Sequence, residues 1–293
     1  MKKEVKSKII VIVGPTGVGK TSLSLSLAKN YNAEIINIDA MQIYKEMNIG
    51  TAKIMDTKGI PHHLLSIRSV SEPYSVYEYQ KQVRQKIEEI SKRGKRIIIV
   101  GGTGLYIKAA LYDYRFEKES IANSYDNLTN LEIMNKLKEY NENIDIHINN
   151  RKRLIRQLNK YENNSEVTNG KDTPLYPIKV IGLTTEREVL YDRINKRVDQ
   201  MIDNGLLEEI KSLKDEYKTS RILNQAIGYK EFYNYLFEDE SLDKTVEKVK
   251  LDSRRYAKRQ YTFFRNQFTV KWFDVNFINF NETIEEVYNY IKK

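Results

Sequence analysis

Short β-branched apolar runs alternate with amphipathic segments over the first hundred residues. Buried parallel strands are typically short and apolar on both faces, and they end at glycine or a polar turn residue. Three runs fit that description: Ile9–Val13, Glu34–Ile38 and Arg96–Val100. Between them, apolar residues recur at helical spacing over 21–30 and 75–92, which predicts two helices. Strands that alternate with helices predict an α/β fold with a parallel, doubly wound sheet.

Capping signals mark the starts of two helices. Ser75 and Glu78 have the spacing of a capping box, and so do Thr185 and Glu188. The first pair opens the helix predicted over 75–92. The second pair follows a strand predicted at Tyr176–Leu183, and it opens a C-terminal part that is predicted to be mainly helical.

The middle of the chain departs from this alternation. From about 116 to 174 the sequence is rich in Asn, Glu and Lys, without a strong strand signal. Helical patterns occur at Asn130–Tyr140 and Asn150–Tyr161. We therefore predict a small all-helical insertion domain at 116–174, between the two parts of a core formed by 1–115 and 175–293.

Composition and charge narrow the choice of partners. Of the 293 residues, 40% are hydrophobic and 30% are charged, so a packed core is feasible. Lys and Arg number 49 against 40 Asp and Glu, which gives a net charge of +9. This excess favours a polyanionic partner, with nucleic acid ahead of a membrane surface; a merely basic soluble protein is the alternative.

Two further properties bear on the compartment. The chain has no cysteine, which excludes disulfides and thiolate metal sites. The N-terminal apolar run is too short for a signal peptide, and no segment approaches the length of a membrane span. These properties predict a cytoplasmic protein without a membrane partner.

The stretch GPTGVGKT at 14–21 matches the phosphate-binding pattern G-x-x-x-x-G-K-[ST] between a predicted strand and a predicted helix. Glycines let backbone N–H groups turn toward phosphate oxygens, and the helix N-terminus adds positive potential. Lys20 supplies a charge, and the Thr21 hydroxyl is suited to Mg²⁺. The pattern indicates a phosphate ligand and leaves open which phosphate compound it is.

The position of the acidic residues argues against a nucleotide triphosphatase or kinase, which normally has an apolar strand ending in an Asp that supports Mg²⁺. The strand at Arg96–Val100 ends in GGTG instead, and only Glu34–Ile38 runs into an aspartate. Asp39 therefore falls at a strand's carboxyl end, where open α/β sheets bind ligands. A carboxylate there holds a metal or accepts a proton; a turn-capping Asp is the alternative.

Two clusters of basic residues fit the phosphate backbone of a nucleic acid. The first cluster comprises Arg151, Lys152, Arg153 and Arg156, and the second comprises Arg254, Arg255, Lys258, Arg259 and Arg265. Solvated helix faces are the alternative. The aromatic residues of the second segment are expected in the core rather than against bases.

The histidines form a poor metal site by comparison. His62 and His63 point to opposite faces if they lie on a strand, and no other ligand cluster is in view. We expect these two residues to have a structural role.

Nine short motifs follow one another along nearly the whole chain. They are GPTGVGKT, DAMQIY, GTAK, PHHL, EPYSV, GGTGLY, HINNRKRLIR, QAIGYKE and RRYAKRQYTFFR. In number and order they resemble those of the tRNA dimethylallyltransferase family, the isopentenyl transferases that act on an adenosine beside the anticodon. The resemblance implies a P-loop NTPase-like parallel sheet flanked by helices, with a tRNA-binding helical insertion.

The resemblance also implies a reaction. A dimethylallyl group would pass from dimethylallyl diphosphate to N6 of the adenosine at position 37, 3′ of the tRNA anticodon, with release of diphosphate. Asp39 would accept the amine proton, and Thr103 would line the reaction channel near it. The cofactor would be Mg²⁺ on Thr21. The implied diphosphate-binding residues are Gly14, Pro15, Thr16, Gly17, Val18, Gly19, Lys20, Thr21 and Lys230. For Lys230, a contact with the RNA is the alternative.

The implied macromolecular partner is the anticodon stem-loop of tRNA, bound by a monomer. The tRNA-binding residues expected from the family motifs and the basic clusters are Asp39, Ala40, Met41, Gln42, Thr103, Lys152, Arg153, Arg156, Gln225, Gly228, Tyr229, Arg255 and Arg259. Residues 254–265 would grip the RNA from one side and the insertion from another.

The chain departs from the family pattern in a few places. Ala40 stands where Ser is common, and HINN replaces the more usual His-Pro-Asn-Asp, which bears on the choice of tRNA. No zinc-finger extension follows, as expected for a bacterial-type member. A P-loop kinase or NTPase, a prenyltransferase of free adenine nucleotides and a non-catalytic RNA-binding protein are the alternative functions. Intact Lys20, Asp39 and Thr103 argue against the last.

Overall fold

The computed structural model describes residues 9–116, 125–162 and 173–293. Its internal contacts divide the chain into two compact units. The first unit is Met1–Asp113 with Asp172–Lys293, and the second is Tyr114–Lys171. The boundaries expected from the sequence lie at 115/116 and 174/175. The two units are described separately.

The described part of the first unit contains a six-stranded, all-parallel sheet. The strands are β1 (Ile9–Val13), β2 (Ala33–Asn37), β3 (His62–His63), β4 (Arg96–Val100), β5 (Ile178–Thr184) and β6 (Lys271–Asp274). They lie in the order β3-β2-β4-β1-β5-β6. The prediction of a parallel α/β sheet flanked by helices is confirmed.

Helices make up most of the remaining described chain. They are α1 (Lys20–Tyr31), α2 (Val76–Lys92), α3 (Gly104–Leu111), α4 (Asn130–Tyr140), α5 (Arg151–Glu162), α6 (Arg187–Asp203), α7 (Leu206–Ser212), α8 (Tyr233–Phe237), α9 (Leu242–Gln267) and α10 (Phe280–Lys292). Within the described ranges, no helix is both long and apolar enough to cross a membrane.

The alternation along β1 explains why its sequence is apolar throughout. Ile9, Val11 and Val13 belong to one apolar cluster, and Ile10 and Ile12 belong to another. Successive side chains of a strand point to opposite faces, so helices cover the sheet on both sides. Every residue of β1 is at most 2% exposed.

One of the two predicted capping boxes forms. The Ser75 hydroxyl accepts from the Glu78 N–H, and the Glu78 carboxylate accepts from the Ser75 N–H. The prediction for Thr185 and Glu188 is wrong: α6 begins at Arg187, without a side-chain cap. The backbone N–H of Thr185 donates instead to the Tyr261 hydroxyl, 3.2 Å away, so a tertiary contact replaces the local cap.

The strand β6 is absent from the sequence prediction, which made the C-terminal part mainly helical. It is an edge strand of four residues that pairs only with β5 among the described strands. Only four residues long, with a charged residue at each end, the segment gives too short a pattern to predict a strand. Its position depends on the edge of β5, which is a non-local contact.

The second unit has its own small apolar core, built around α4 and α5. The Arg151 guanidinium donates to the carbonyl oxygens of Tyr125 and Leu128 at 2.6 and 2.8 Å, so it ties the start of α5 to the segment before α4. Arg151 is thus structural. The other basic residues of this cluster are exposed: Lys152, Arg153 and Arg156.

Candidate active site

The loops that follow β1, β2 and β4 open into one cavity of about 1020 Å³. Parallel strands bring their carboxyl ends to the same edge of a sheet, so these three loops converge there. The remaining walls come from α6, α9 and the segments 48–55 and 225–228. The whole cavity lies within the first unit.

The phosphate loop forms one end of the cavity. Thr16, Gly17 and Gly19 line it, together with Lys20 and Thr21 at the start of α1. Gly19 has a φ of 96°, which favours glycine, and a Cβ there would lie 2.8 Å from the Phe280 ring. Three other loop residues that were expected to bind diphosphate are buried and do not line the cavity: Gly14, Pro15 and Val18.

The Lys20 ammonium folds back onto its own loop. It donates to the carbonyl oxygens of Gly14 and Pro15 at 3.0 and 2.6 Å. Burial lowers the pKa of Lys20 to about 7; the charge of Arg197 acts in the same direction, and Asp39 opposes it. The positive charge that Lys20 brings to the loop therefore depends on pH near neutrality.

Two arginines of α6 reach the same loop. Arg197 donates to the Thr16 hydroxyl at 3.3 Å, and Arg193 donates to the Gly17 carbonyl at 3.2 Å. The Arg193 guanidinium also lies 3.8 Å from the centre of the Phe277 ring. Both arginines line the cavity. Together with Lys20 they make this end strongly anion-binding.

Sequence reasoning missed these two arginines. They are four residues apart and so share one helix face. Their helix follows β5, which pairs with β1 and thereby lies beside the phosphate loop. The helical spacing was visible in the sequence, but the pairing of β5 with β1 is a property of the fold.

Asp39 and Thr103 meet at the edge of the cavity. Asp39 Oδ1 accepts from the Met41 N–H at 2.9 Å, so it caps its own turn. The Ala40 N–H donates to the Thr103 hydroxyl at 3.0 Å, which ties the turn after β2 to the turn after β4. The alternative that Asp39 caps its turn is therefore correct for one of its two oxygens, Oδ1. Among the described residues, no hydrogen bond to Asp39 Oδ2 is formed.

Most of the other expected substrate contacts from the first unit also reach the cavity. Its walls include Ala40, Met41, Gln42, Gln225 and Gly228. The exposed residues Arg255 and Arg259 lie on α9. The first arginine is within 3.3 Å of Asp252, and the second stands over the Tyr256 ring.

Tyr229 is a correction to the expected RNA contacts. Glu209 of α7 accepts hydrogen bonds from the backbone N–H groups of residues 48–50 at 2.9, 2.8 and 3.1 Å. It also accepts from the Tyr229 hydroxyl at 2.6 Å. The Tyr229 ring is wholly buried against Gly50, where a Cβ would come within 2.6 Å of it. Tyr229 thus supports the segment 48–50, and its ring is not exposed in this structure.

Lys230 is the second correction. Its ammonium pairs with Asp252 and lies 3.3 Å from the Glu231 carboxylate. Burial works against the charge of Lys230, but these partners outweigh it and raise the pKa of Lys230. Within the described residues, Lys230 is not part of the cavity wall. The structure therefore does not bring it to the phosphate loop.

The paired histidines have separate environments, as expected for strand neighbours. His63 Nε2 is 2.7 Å from the Glu34 carboxylate, which also accepts from Arg93. Burial opposes ionisation of Glu34, but the hydrogen bonds from Arg93 and His63 lower the pKa of Glu34 overall. His62 lines the cavity, with Nδ1 2.8 Å from the Ile60 carbonyl oxygen. The described residues contain no group of three or more His, Cys, Asp or Glu able to hold a metal.

Comparison with known proteins gives a consistent result. A family model described as IPP transferase matches residues 42–267. The tRNA dimethylallyltransferase of Bacillus licheniformis is 49% identical, over 98% of this chain and 97% of its own. That of Geobacillus thermodenitrificans is 48% identical, over 97% and 96% respectively.

Solved structures agree in fold. The full-length tRNA isopentenylpyrophosphate transferase from Bacillus halodurans superposes with a TM-score of 0.75 at 41% identity, over 97% of this chain and 95% of its own. A eukaryotic dimethylallyltransferase acting on tRNA gives a TM-score of 0.71 at 30% identity, over 91% and 74%. Family model, relatives and fold agree, and the chain belongs to the IPP transferase family.

Proposed function

We propose that the chain transfers a dimethylallyl group from dimethylallyl diphosphate to N6 of the adenosine at position 37 of tRNA, 3′ of the anticodon. The products are N6-(dimethylallyl)adenosine and diphosphate. One observation carries the proposal in a member of this family: a single cavity holds both an anion-binding loop and the Asp39–Thr103 pair.

The anion-binding end suits a diphosphate leaving group. As the allylic C–O bond breaks, its electron pair leaves with the diphosphate, and negative charge develops there. The loop N–H groups and Lys20 are fixed donors for that charge, as are Arg193 and Arg197. On binding, the Lys20 ammonium would exchange the carbonyls of Gly14 and Pro15 for diphosphate oxygens.

The same end has donors that fit Mg²⁺. Thr21 is exposed at the start of α1 and lines the cavity, and Asp39 brings a carboxylate into the same space. Mg²⁺ usually takes one or two protein oxygens and completes its shell with substrate phosphates and water. Thr21 would hold the ion against the diphosphate, where it neutralises leaving-group charge.

The carboxylate end suits activation of the adenine amine. The exocyclic N6 attacks the allylic carbon, and a proton must leave the nitrogen as the N–C bond forms. The Oδ2 atom of Asp39 accepts that proton, while Oδ1 remains on the Met41 N–H. Thr103 keeps the turn of Asp39 in place through the Ala40 N–H. Positioning counts for much of the rate, because a neutral aromatic amine is a weak nucleophile.

The adenine must leave its stack to reach Asp39 inside the cavity. Base extrusion is the general solution when an enzyme modifies a base inside a stacked nucleic acid. The exposed basic residues of both units would hold the flanking phosphates, among them Arg153 and Arg156 of α5 and Arg255 and Arg259 of α9. The segments 40–42 and 225–228 would contact the extruded nucleotide.

The test is a four-way substrate comparison. Labelled dimethylallyl diphosphate or ATP is supplied with either tRNA or AMP, and the product is identified in each case. We expect product only from dimethylallyl diphosphate with tRNA, and a sharp loss with Lys20→Ala. The exposed Lys218→Ala serves as the matched control. ATP hydrolysis stimulated by RNA would instead establish an NTPase, and product with AMP would establish a nucleotide prenyltransferase.

A further inference from the structure

A buried glutamine of α9 touches both ends of the cavity. Gln260 is 5% exposed. Its Oε1 accepts from the Thr16 N–H of the phosphate loop at 2.9 Å. Its Nε2 donates to the carbonyl oxygen of Gly102 at 3.1 Å, next to Thr103. The oxygen of this one amide therefore bonds the phosphate loop, and its nitrogen bonds the turn that carries Thr103.

The turn after β4 is shaped to receive this helix. A Cβ on Gly102 would lie 2.0 Å from Gln260 Nε2, and one on Gly104 would lie 2.1 Å from the Phe263 ring. A Cβ at either position would require the Gln260 amide or the Phe263 ring to shift. The close approach of α9 side chains thus favours glycine at 102 and 104, whereas Gly101 packs against Ile38.

The neighbouring turn of α9 extends the link into the cavity. Tyr256 precedes Gln260 by four residues and lines the cavity wall. Burial and the nearby Asp39 raise the pKa of Tyr256 to about 12, whereas its side-chain hydrogen bonds with Thr103 and Gln260 act in the opposite direction. The Arg259 guanidinium stands 5.7 Å from the centre of the Tyr256 ring. The same helix thus faces both the catalytic turn and the surface expected to hold RNA.

We infer that Gln260 is a positioning residue for the proposed transfer, holding the phosphate loop in register with the Thr103 turn through its two hydrogen bonds. The inference rests on the proposed function. Gln260 acts through Thr16 on binding of the diphosphate, and through Gly102 and Thr103 on the transfer step. Because the amide uses opposite atoms for the two contacts, a shorter or apolar side chain cannot make both.

Gln260→Ala should therefore raise the KM for dimethylallyl diphosphate and the Kd for Mg²⁺-pyrophosphate by about tenfold each, since it removes the hydrogen bond that holds Thr16 and the phosphate loop in place. It should lower kcat on saturating tRNA by a similar factor of about ten through the Thr103 turn. The Kd for tRNA should not change. In the double variant with Thr103→Ala, the loss of kcat should be smaller than the two single-variant losses predict together, because both residues act on one turn.

The measurements are steady-state kinetics, calorimetric pyrophosphate binding and thermal unfolding, on the whole chain. Gln260→Asn keeps the amide on a side chain one methylene shorter and serves if the Ala variant folds poorly. Gln267→Ala removes an exposed glutamine amide from the same helix and is the matched control, with no change expected. A merely structural residue would lower the folded fraction and apparent kcat, but it would leave the KM unchanged.

Unchanged pyrophosphate affinity in both Gln260 variants would overturn the inference, as would strictly additive kcat losses. Pyrophosphate binding does not depend on dimethylallyl transfer, so the two proposals fail separately. If the wild-type chain binds pyrophosphate, makes no prenylated tRNA and loses that binding in Gln260→Ala, the proposed function is wrong and the positioning of the phosphate loop stands.

Discussion

The protonation of a single lysine sets the charge of the phosphate end. Burial lowers the pKa of Lys20 to about 7, so the ammonium form is lost as the pH rises through that value. A bound diphosphate requires the charged form. Affinity for pyrophosphate should therefore fall about tenfold between pH 6 and pH 8, in proportion to the charged fraction of ligand-free protein.

Lys20→Arg provides the comparison, because arginine keeps its charge over this range. Ionisation of pyrophosphate itself affects both proteins equally. The wild-type affinity, measured by calorimetry, should fall more steeply with pH than that of the Arg variant. Parallel pH profiles would show that Lys20 remains charged throughout and that its burial has no consequence for binding.

In the proposed reaction, Asp39 accepts the proton of the adenine amine. Asp39→Asn keeps an oxygen for the Met41 N–H and removes the proton acceptor. The single-turnover rate should fall by about 10²–10⁴. The Kd for tRNA should not change, since the turn is preserved. An Asn variant that reacts at the wild-type rate would mean that Asp39 serves only as the cap of its turn.

Lys20, Asp39 and Thr103, which sequence reasoning placed correctly in the cavity, lie directly after strands or at the start of the helix that follows. Gln225 and Gly228 were also placed correctly, but only the family motif predicted them. The carboxyl ends of parallel strands converge by geometry, so Lys20 and Asp39 were predictable from strand assignment and local pattern, whereas Thr103 was predicted from the family resemblance. Lys230 and Tyr229 come from a segment whose motif gives no direction to its side chains. Their ion pairs and burial are set by α7 and α9, which no local pattern specifies.

At the scale of elements, the segment 48–50 depends on α7. Glu209→Ala would leave three backbone N–H groups and the Tyr229 hydroxyl without their acceptor. The free energy of unfolding should fall by about 2–4 kcal/mol, as measured by urea denaturation. Hydrogen exchange at residues 48–50 should accelerate. The neighbouring Glu208 is exposed, so Glu208→Ala should have little effect on either quantity.

Equal destabilisation by the two glutamate variants would contradict this role of Glu209.

The difference between local and tertiary contacts explains why some elements were predictable from the sequence. Apolar periodicity and the Ser75 cap are local, and α2 follows them. The start of α6 and the strand β6 depend on Tyr261 and on the edge of β5, so they required the tertiary structure.

At the scale of the whole molecule, the net charge of +9 is consistent with the proposed tRNA substrate. Because we propose that Arg153 and Arg259 contact tRNA phosphates, replacing either with Ala should weaken tRNA binding and reduce the log–log salt slope by roughly 0.7–0.9. Transfer on saturating tRNA should change less. The exposed Lys218→Ala controls for loss of charge elsewhere.

Binding measured across a series of salt concentrations tests these patches together. In a variant with Arg153, Arg156, Arg255 and Arg259 all replaced by Ala, the losses should accumulate. Unchanged affinity and salt slope in that variant would make both clusters ordinary solvated faces and put the RNA elsewhere.

The most direct measurement of the proposed function is product analysis on a matched pair of anticodon stem-loops. One carries adenosine 3′ of the anticodon, and the other carries inosine, which lacks the exocyclic amine. With dimethylallyl diphosphate and Mg²⁺, the adenosine loop should yield N6-(dimethylallyl)adenosine in a single turnover, and the inosine loop should yield nothing. Dimethylallyl transfer to the inosine loop would contradict the proposed function. Consumption of ATP without transfer to either loop would contradict it as well.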